Sequence, residues 1–86
     1  MINMAVWKFE LSPTGLLYMP AISKPLHVGE QDDNIYLWAL VDPTTPNVKW
    51  DFTIIGTGWT FNPPNYPFVG TVQMSNGLVF HVWVGR

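Results

Sequence analysis

The chain has 86 residues, a formal net charge of −2, 48% hydrophobic and only 12% charged residues, and no cysteine. Disulfides and thiolate zinc sites are therefore excluded, and the scattered cations Lys8, Lys24, Lys49 and Arg86 make no basic stripe for duplex DNA or RNA. A chain this small buries only about 60–65% of its unfolded surface, and its charged fraction is well under the usual ~25%, so homo-oligomerisation is the expected aid to stability.

The start, Met1-Ile2-Asn3-Met4-Ala5-Val6-Trp7-Lys8, has neither a basic n-region nor a long apolar h-region, so a cytoplasmic protein without a secretory signal is expected. Val6 to Leu11 alternates, with Trp7, Phe9 and Leu11 on one face and Lys8 and Glu10 on the other, the pattern of a half-buried strand. Ser12-Pro13-Thr14-Gly15 turns the chain, and Leu16 to Met19 is a short second strand closed by Pro20. Leu26 to Glu30 is a third strand that hairpins through Gln31-Asp32-Asp33-Asn34 into the next one.

The central run, Ile35-Tyr36-Leu37-Trp38-Ala39-Leu40-Val41, ends at Asp42-Pro43, where Asp42 starts a turn. It is far shorter than the ~20 residues of a membrane helix, so no membrane partner is expected. It reads as a central strand covered on both faces, with Ile35, Leu37, Ala39 and Val41 on one side and Tyr36, Trp38 and Leu40 on the other. Val48, Trp50, Phe52 and Ile54 then alternate with Lys49, Asp51 and Thr53 as far as Gly56-Thr57-Gly58. The prolines of Trp59-Thr60-Phe61-Asn62-Pro63-Pro64-Asn65-Tyr66-Pro67 forbid a central strand. Phe68 to Met74 and Leu78 to Val84 form a final hairpin, for which Asn76-Gly77 predicts a tight primed turn. With no helical periodicity, the expectation is a single-domain, all-β fold: an antiparallel β-sandwich or barrel-like sheet of six or seven short strands.

Catalytic sets are hard to assemble. His27 and His81 lack metal-ligand spacing, Ser12, Ser23 and Ser75 sit in predicted turns without a nucleophile elbow, and Asp32, Asp33 and Asp42 read as turn residues. No metal, no cofactor and no enzymatic activity are expected. His81 reads either as a strand residue bonded to its neighbours or as a ligand contact beside Val79 and Trp83. Gly56-Thr57-Gly58 reads either as a strand-ending turn or as a fragment of an anion cradle.

Aromatic surplus is the most informative feature. Five Trp, three Tyr and five Phe exceed what so small a core encloses, at ~150–250 Å² buried by each. Phe9, Trp50, Phe52 and Phe80 fall on alternating apolar faces and are expected in the core. Trp38, Trp59, Phe61, Tyr66 and Trp83 are expected at a binding surface.

Leu37-Trp38-Ala39-Leu40-Val41-Asp42-Pro43, Ile55-Gly56-Thr57-Gly58, Val69-Gly70-Thr71-Val72-Gln73 and Leu78-Val79-Phe80-His81-Val82, together with Trp7-Lys8, resemble a family of short uncharacterised phage and bacterial proteins. The resemblance implies a phage or prophage setting and a stand-alone domain, and it implies no reaction. In that setting one job is a homo-oligomeric sponge for a nucleotide-derived immune messenger, either a cyclic nucleotide or an ADP-ribose derivative. Trp38, Trp59, Phe61, Tyr66, Trp83 and His81 would line its pocket. Phosphates would meet the amides of Gly56, Thr57 and Gly58, and Lys8 or Arg86. The alternative is a protein-interaction module that docks a host or virion protein through the same aromatic face; an enzyme degrading the messenger is a third class.

Overall fold

The sequence alternation becomes strand after strand in the computed structural model, which describes residues 3–86. Its elements are β1 (Ala5–Glu10), β2 (Leu17–Pro20), β3 (Ser23–Gln31), β4 (Asn34–Val41), β5 (Asn47–Gly56), β6 (Phe68–Gln73) and β7 (Val79–Gly85), with no helix among the described residues. A three-stranded sheet in the order β1-β4-β3 packs on a four-stranded sheet in the order β2-β5-β7-β6. Every strand pair is antiparallel, so the fold is the expected antiparallel all-β sandwich.

The strand period of two sorts the side chains. Leu37, Ala39 and Val41 of β4 point inward and are fully buried. They meet Val82 and Val84 of β7, Met19 and Leu17 of β2, Val28 of β3, Val72 of β6 and Trp50 of β5 in one apolar layer. Phe9 and Phe52 pack at its margin as expected.

On the opposite side of β4 the two-sided burial read from its apolar run is not found. Tyr36, Trp38 and Leu40 are only half-buried, because no second layer of described residues lies on that side. Neighbouring side chains shelter them instead: the Lys8 ammonium sits 4.8 Å from the Tyr36 ring centre, and His27 lies 5.9 Å from Trp38.

The β3–β4 hairpin turns through Gln31–Asn34 as expected, and the β6–β7 turn differs from expectation. The primed turn belongs to the β3–β4 hairpin, where Asp32 and Asp33 have φ of 52° and 66° between the closing pair Gln31 and Asn34. Its strain is offset by bonds from the Asp33 amide to Glu30 Oε2 (2.7 Å) and from Asn34 Nδ2 to the Asp32 carbonyl (3.3 Å). Between β6 and β7, only Gly77 has positive φ (90°). The Met74 amide reaches the Leu78 carbonyl at 2.8 Å and the Gly77 amide reaches Met74 at 3.0 Å, so this is a three-residue loop closed by a left-handed glycine rather than a two-residue primed turn.

Strand β3 starts earlier than expected, at Ser23. Pro25 is tolerated because β3 is a sheet edge, where a missing N–H costs no ladder bond, and the register slips between Pro25 and His27.

The sheets are joined at a stitched corner. The Asp42 amide donates to the Ile22 carbonyl (2.9 Å) and the Ala21 amide to the Pro46 carbonyl (2.8 Å), while the Ile22 amide reaches Thr45 Oγ1 at 3.2 Å. Asp42 starts the turn as its sequence position predicts, since its carboxylate accepts from the Thr44 hydroxyl (2.6 Å) and amide (3.0 Å). Those two bonds, the hydroxyl's first, hold the carboxyl below its ordinary range against the opposing effect of burial. Along the far edges β3 meets β6, and a Cβ on Gly70 would lie 3.1 Å from Val28 Cγ2.

Two outcomes follow from this packing. Leu37→Ala, at a site with no solvent exposure, is expected to lose about 2–5 kcal/mol in urea unfolding. Because the folded Asp42 value is depressed, its stabilisation is fully present above the unfolded carboxylate value of about 3.9 and is lost as pH falls through the folded value. Asp42→Asn, which keeps an oxygen acceptor, should therefore flatten the acid limb of the stability–pH curve; an unchanged limb would remove Asp42 from the account.

Candidate binding surface

Strand β7 turns Val79, His81 and Trp83 outward, away from the core. Register places Ile55 and Thr71 beside His81, and Thr53 and Phe68 beside Trp83. The segment after Gly56 then folds back over this face instead of leaving it. Tyr66 lies directly on Gly85, where any added Cβ would collide with the Tyr66 side chain. The Tyr66 hydroxyl meets Thr53 Oγ1 at 2.6 Å, and the Pro67 carbonyl accepts from the Val84 amide at 3.0 Å. Pro63 and Pro64 stiffen the segment ahead of these anchors, and Pro67 is one of them.

This draping sets Phe61 edge-on to Trp83 at 5.2 Å, and Phe68 is also edge-on to it at 5.1 Å. Such pairs are worth about 0.5–1.5 kcal/mol beyond their area. Phe61 and Phe68 nevertheless remain 38% and 52% exposed. The result is a preformed aromatic clasp facing solvent.

Next to the clasp, His81 is held at both ring nitrogens, by Thr57 Oγ1 at 2.8 Å from Nε2 and by Thr71 Oγ1 at 3.0 Å from Nδ1. The Thr57 hydroxyl also points at the Val79 carbonyl, 3.4 Å away. As a donor there it accepts from Nε2–H, which leaves Nδ1 to accept from Thr71. His81 is thus a strand residue bonded to its neighbours.

At the rim of this face, Gly56 and Gly58 serve a turn. The Trp59 amide donates to the Gly56 carbonyl and the Thr57 amide to Val79, both at 3.1 Å, with Gly58 at φ 90°. Of the Gly56, Thr57 and Gly58 amides that an anion cradle would use, that of Thr57 is already taken. Trp59 packs flat on Gly56, where a Cβ would come within 2.7 Å of the indole, and stands edge-on to Phe80 at 6.2 Å. Thr57, Trp59, Leu78, Val79 and Phe80 border an open hollow of about 370 Å³ with no charged side chain in its wall. Trp59 is 60% exposed there.

The structure therefore gathers Thr57, Phe61, Tyr66, His81 and Trp83 on the outer face of the four-stranded sheet, with Gly56 and Gly58 in the turn at its rim, whereas Trp59 packs on Gly56 and Phe80, which point to the opposite side of the sheet. Trp38 and Lys8 lie on the outer face of the other sheet, where Lys8 Nζ donates to Gln31 Oε1 at 2.9 Å. Arg86 donates to the Ala21 carbonyl at 3.2 Å and covers Trp50 at 5.8 Å; the buried Trp50 Nε1 has no partner among the described residues. Sequence reasoning missed Phe68 and Thr71, since a register shift between Phe68 and Gly70 breaks the alternation that would have aimed them. Among the described residues no group of three or more His, Asp or Glu is placed to hold a metal.

A family model described as a domain of unknown function (DUF7352) matches residues 2–86. No curated protein and no solved structure matches the chain.

The Gly56 contact is directly testable. Gly56→Ala is expected to displace the Trp59 indole and shift its side-chain N–H resonance while leaving that of the buried Trp50 in place; an unmoved Trp59 signal would contradict the packing described.

Proposed function

The chain belongs to the DUF7352 family, and from that premise we propose that it is a binding protein that works without turnover and grips a protein partner through the Phe61–Trp83–Phe68 clasp. One observation carries the reading: three rings are already locked edge-to-face, yet two of them stay open to water. Rings fixed before binding lose little side-chain freedom on docking, and buried Trp and Tyr anchors dominate protein interfaces. The Thr53, Thr57, Tyr66, Thr71 and His81 side chains beside the clasp are already bonded within the chain, so covering these groups orphans none of their bonds.

Charge favours a protein over a phosphorylated messenger. None of Lys8, Lys24, Lys49 and Arg86 lines the hollow beside Trp59, and a polyphosphate needs cations or free amides. The hollow itself supports a second, small-molecule reading. Its volume lies within the ~300–1,000 Å³ of ligand sites, and the exposed Trp59 offers a stacking plane for the base of a nucleotide-derived messenger, worth about 1–3 kcal/mol. In either reading the setting is the cytoplasm of a phage-infected or lysogenic host, and the action is stoichiometric capture.

Affinity capture from host extract followed by native mass spectrometry separates the readings. With a protein partner bound, Trp83→Ala is expected to weaken it by about 30-fold or more, the size of an interface hot spot, with Trp38→Ala nearly silent. Loss in Trp38→Ala with Trp83→Ala intact would place the surface on the wrong sheet. Intact nucleotide adducts that vanish in Trp59→Ala would establish the sponge instead.

A further inference from the structure

We infer that β1 is the seam of a two-fold dimer, pairing antiparallel with β1 of a second copy of this chain so that Trp7 faces Trp7. This edge is separate from the clasp, and the inference does not rest on the function proposed above.

The sandwich has four edge strands, and edges that must stay unpaired are usually guarded by shortness, proline or bulges. Three of them are. Strand β2 has four residues and ends in Pro20, β3 carries Pro25 and a register slip, and β6 slips between Phe68 and Gly70. Strand β1 has neither proline nor slip, and its register against β4 runs unbroken from Ala5 to Glu10; its guards are the charged side chains Lys8 and Glu10 alone.

Its hydrogen-bonding phase is set by the Leu11 amide, which donates to Ile35 at 2.9 Å. Residues facing β4 alternate along an antiparallel strand, so Ala5, Trp7 and Phe9 turn their backbone groups to β4. Val6, Lys8 and Glu10 turn theirs to the free side, where no described strand lies. The inner face is unfinished as well: Trp7 sits opposite the fully buried Ala39, yet is itself 42% exposed.

What fits this edge is β1 itself. A two-fold axis centred on any residue of a continuous sheet keeps inward residues opposite inward ones; within Ala5–Glu10 the centres Trp7 and Lys8 pair five residues, and Val6 or Phe9 pair only three. Centring on Lys8 sets two ammonium groups face to face, which is destabilising. Centring on Phe9 pairs only the C-terminal half of the strand. Centring on Trp7 pairs Ala5 to Phe9, sets small Ala5 against large Phe9 and Val6 against the Lys8 stem, and brings the two indoles together at a non-hydrogen-bonded site. Opposed residues approach most closely there, at about 4.5 Å between Cα atoms.

The test is the solution mass together with directed cross-linking. The chain, of 9.8 kDa, is expected to sediment at twice that mass, and Val6→Pro, which removes one outward N–H and no bond to β4, is expected to halve it with an unchanged circular dichroism spectrum. The sequence has no cysteine, so Trp7→Cys gives a single thiol at a separation disulfides span, about 4.4–6.8 Å. Mild oxidation should convert it to a covalent dimer and leave Phe9→Cys uncoupled. A monomeric wild type from micromolar to near-millimolar concentration, a Val6→Pro variant that stays dimeric, or coupling through Phe9→Cys in place of Trp7→Cys would each overturn the proposal.

Discussion

Everything in this fold depends on one apolar layer a single side chain deep on each side. Leu37, Ala39 and Val41 from one sheet and Val82 and Val84 from the other are at most 1% exposed, and there is no second layer to bury anything else. A chain with this many rings must then arrange them outside the core. The corner at Asp42 sets the angle at which the layer closes, because the Thr44 and Thr45 bonds fix how β4 hands the chain to β5. Closure is tight where β3 meets β6 and stops short at β1, where Trp7 looks inward but is not covered.

The outer faces show two ways of handling the surplus. On the three-stranded sheet, Tyr36 and Trp38 lie beside each other, 6.4 Å apart, with Lys8 and His27 against them. On the four-stranded sheet a proline-rich segment is laid over Gly85 and held by the Tyr66–Thr53 bond. Gly85 permits that close approach because it has no Cβ, and the approach brings Phe61 against Trp83. The clasp is therefore a product of backbone packing at a distance from the rings themselves.

Much of the fold was legible because strand periodicity acts locally. The alternation of β5 and the inward set of β4 follow from their sequences, as does the β3–β4 turn position. The outer cover of β4 was not legible: seven apolar residues in a row look alike whether a second layer or only neighbouring side chains shelter them. Asn76-Gly77 fits a primed turn by composition, yet the loop between Met74 and Leu78 needs only one left-handed residue, and the longer-range tie from Ser75 to Asp33 at 2.5 Å also shapes it. The clustering of Phe61, Tyr66, His81 and Trp83 was legible as a set of residue types, whereas Trp59 turns onto Gly56 and Phe80. That Trp38, Lys8 and Arg86 stand apart from them was not, because pairing order across two sheets is a long-range property that single-strand patterns do not carry.

The most direct test of the central claim, that the outer face of the β5–β7–β6 sheet is the working surface, is residue-resolved oxidative footprinting of the five tryptophans before and after a partner is bound. Buried Trp50 serves as the internal reference. The account predicts protection at Trp83, with Phe61 and Phe68 protected alongside it, and no change at Trp38. Protection of Trp38 with Trp83 left open would contradict it and move the surface to the other sheet.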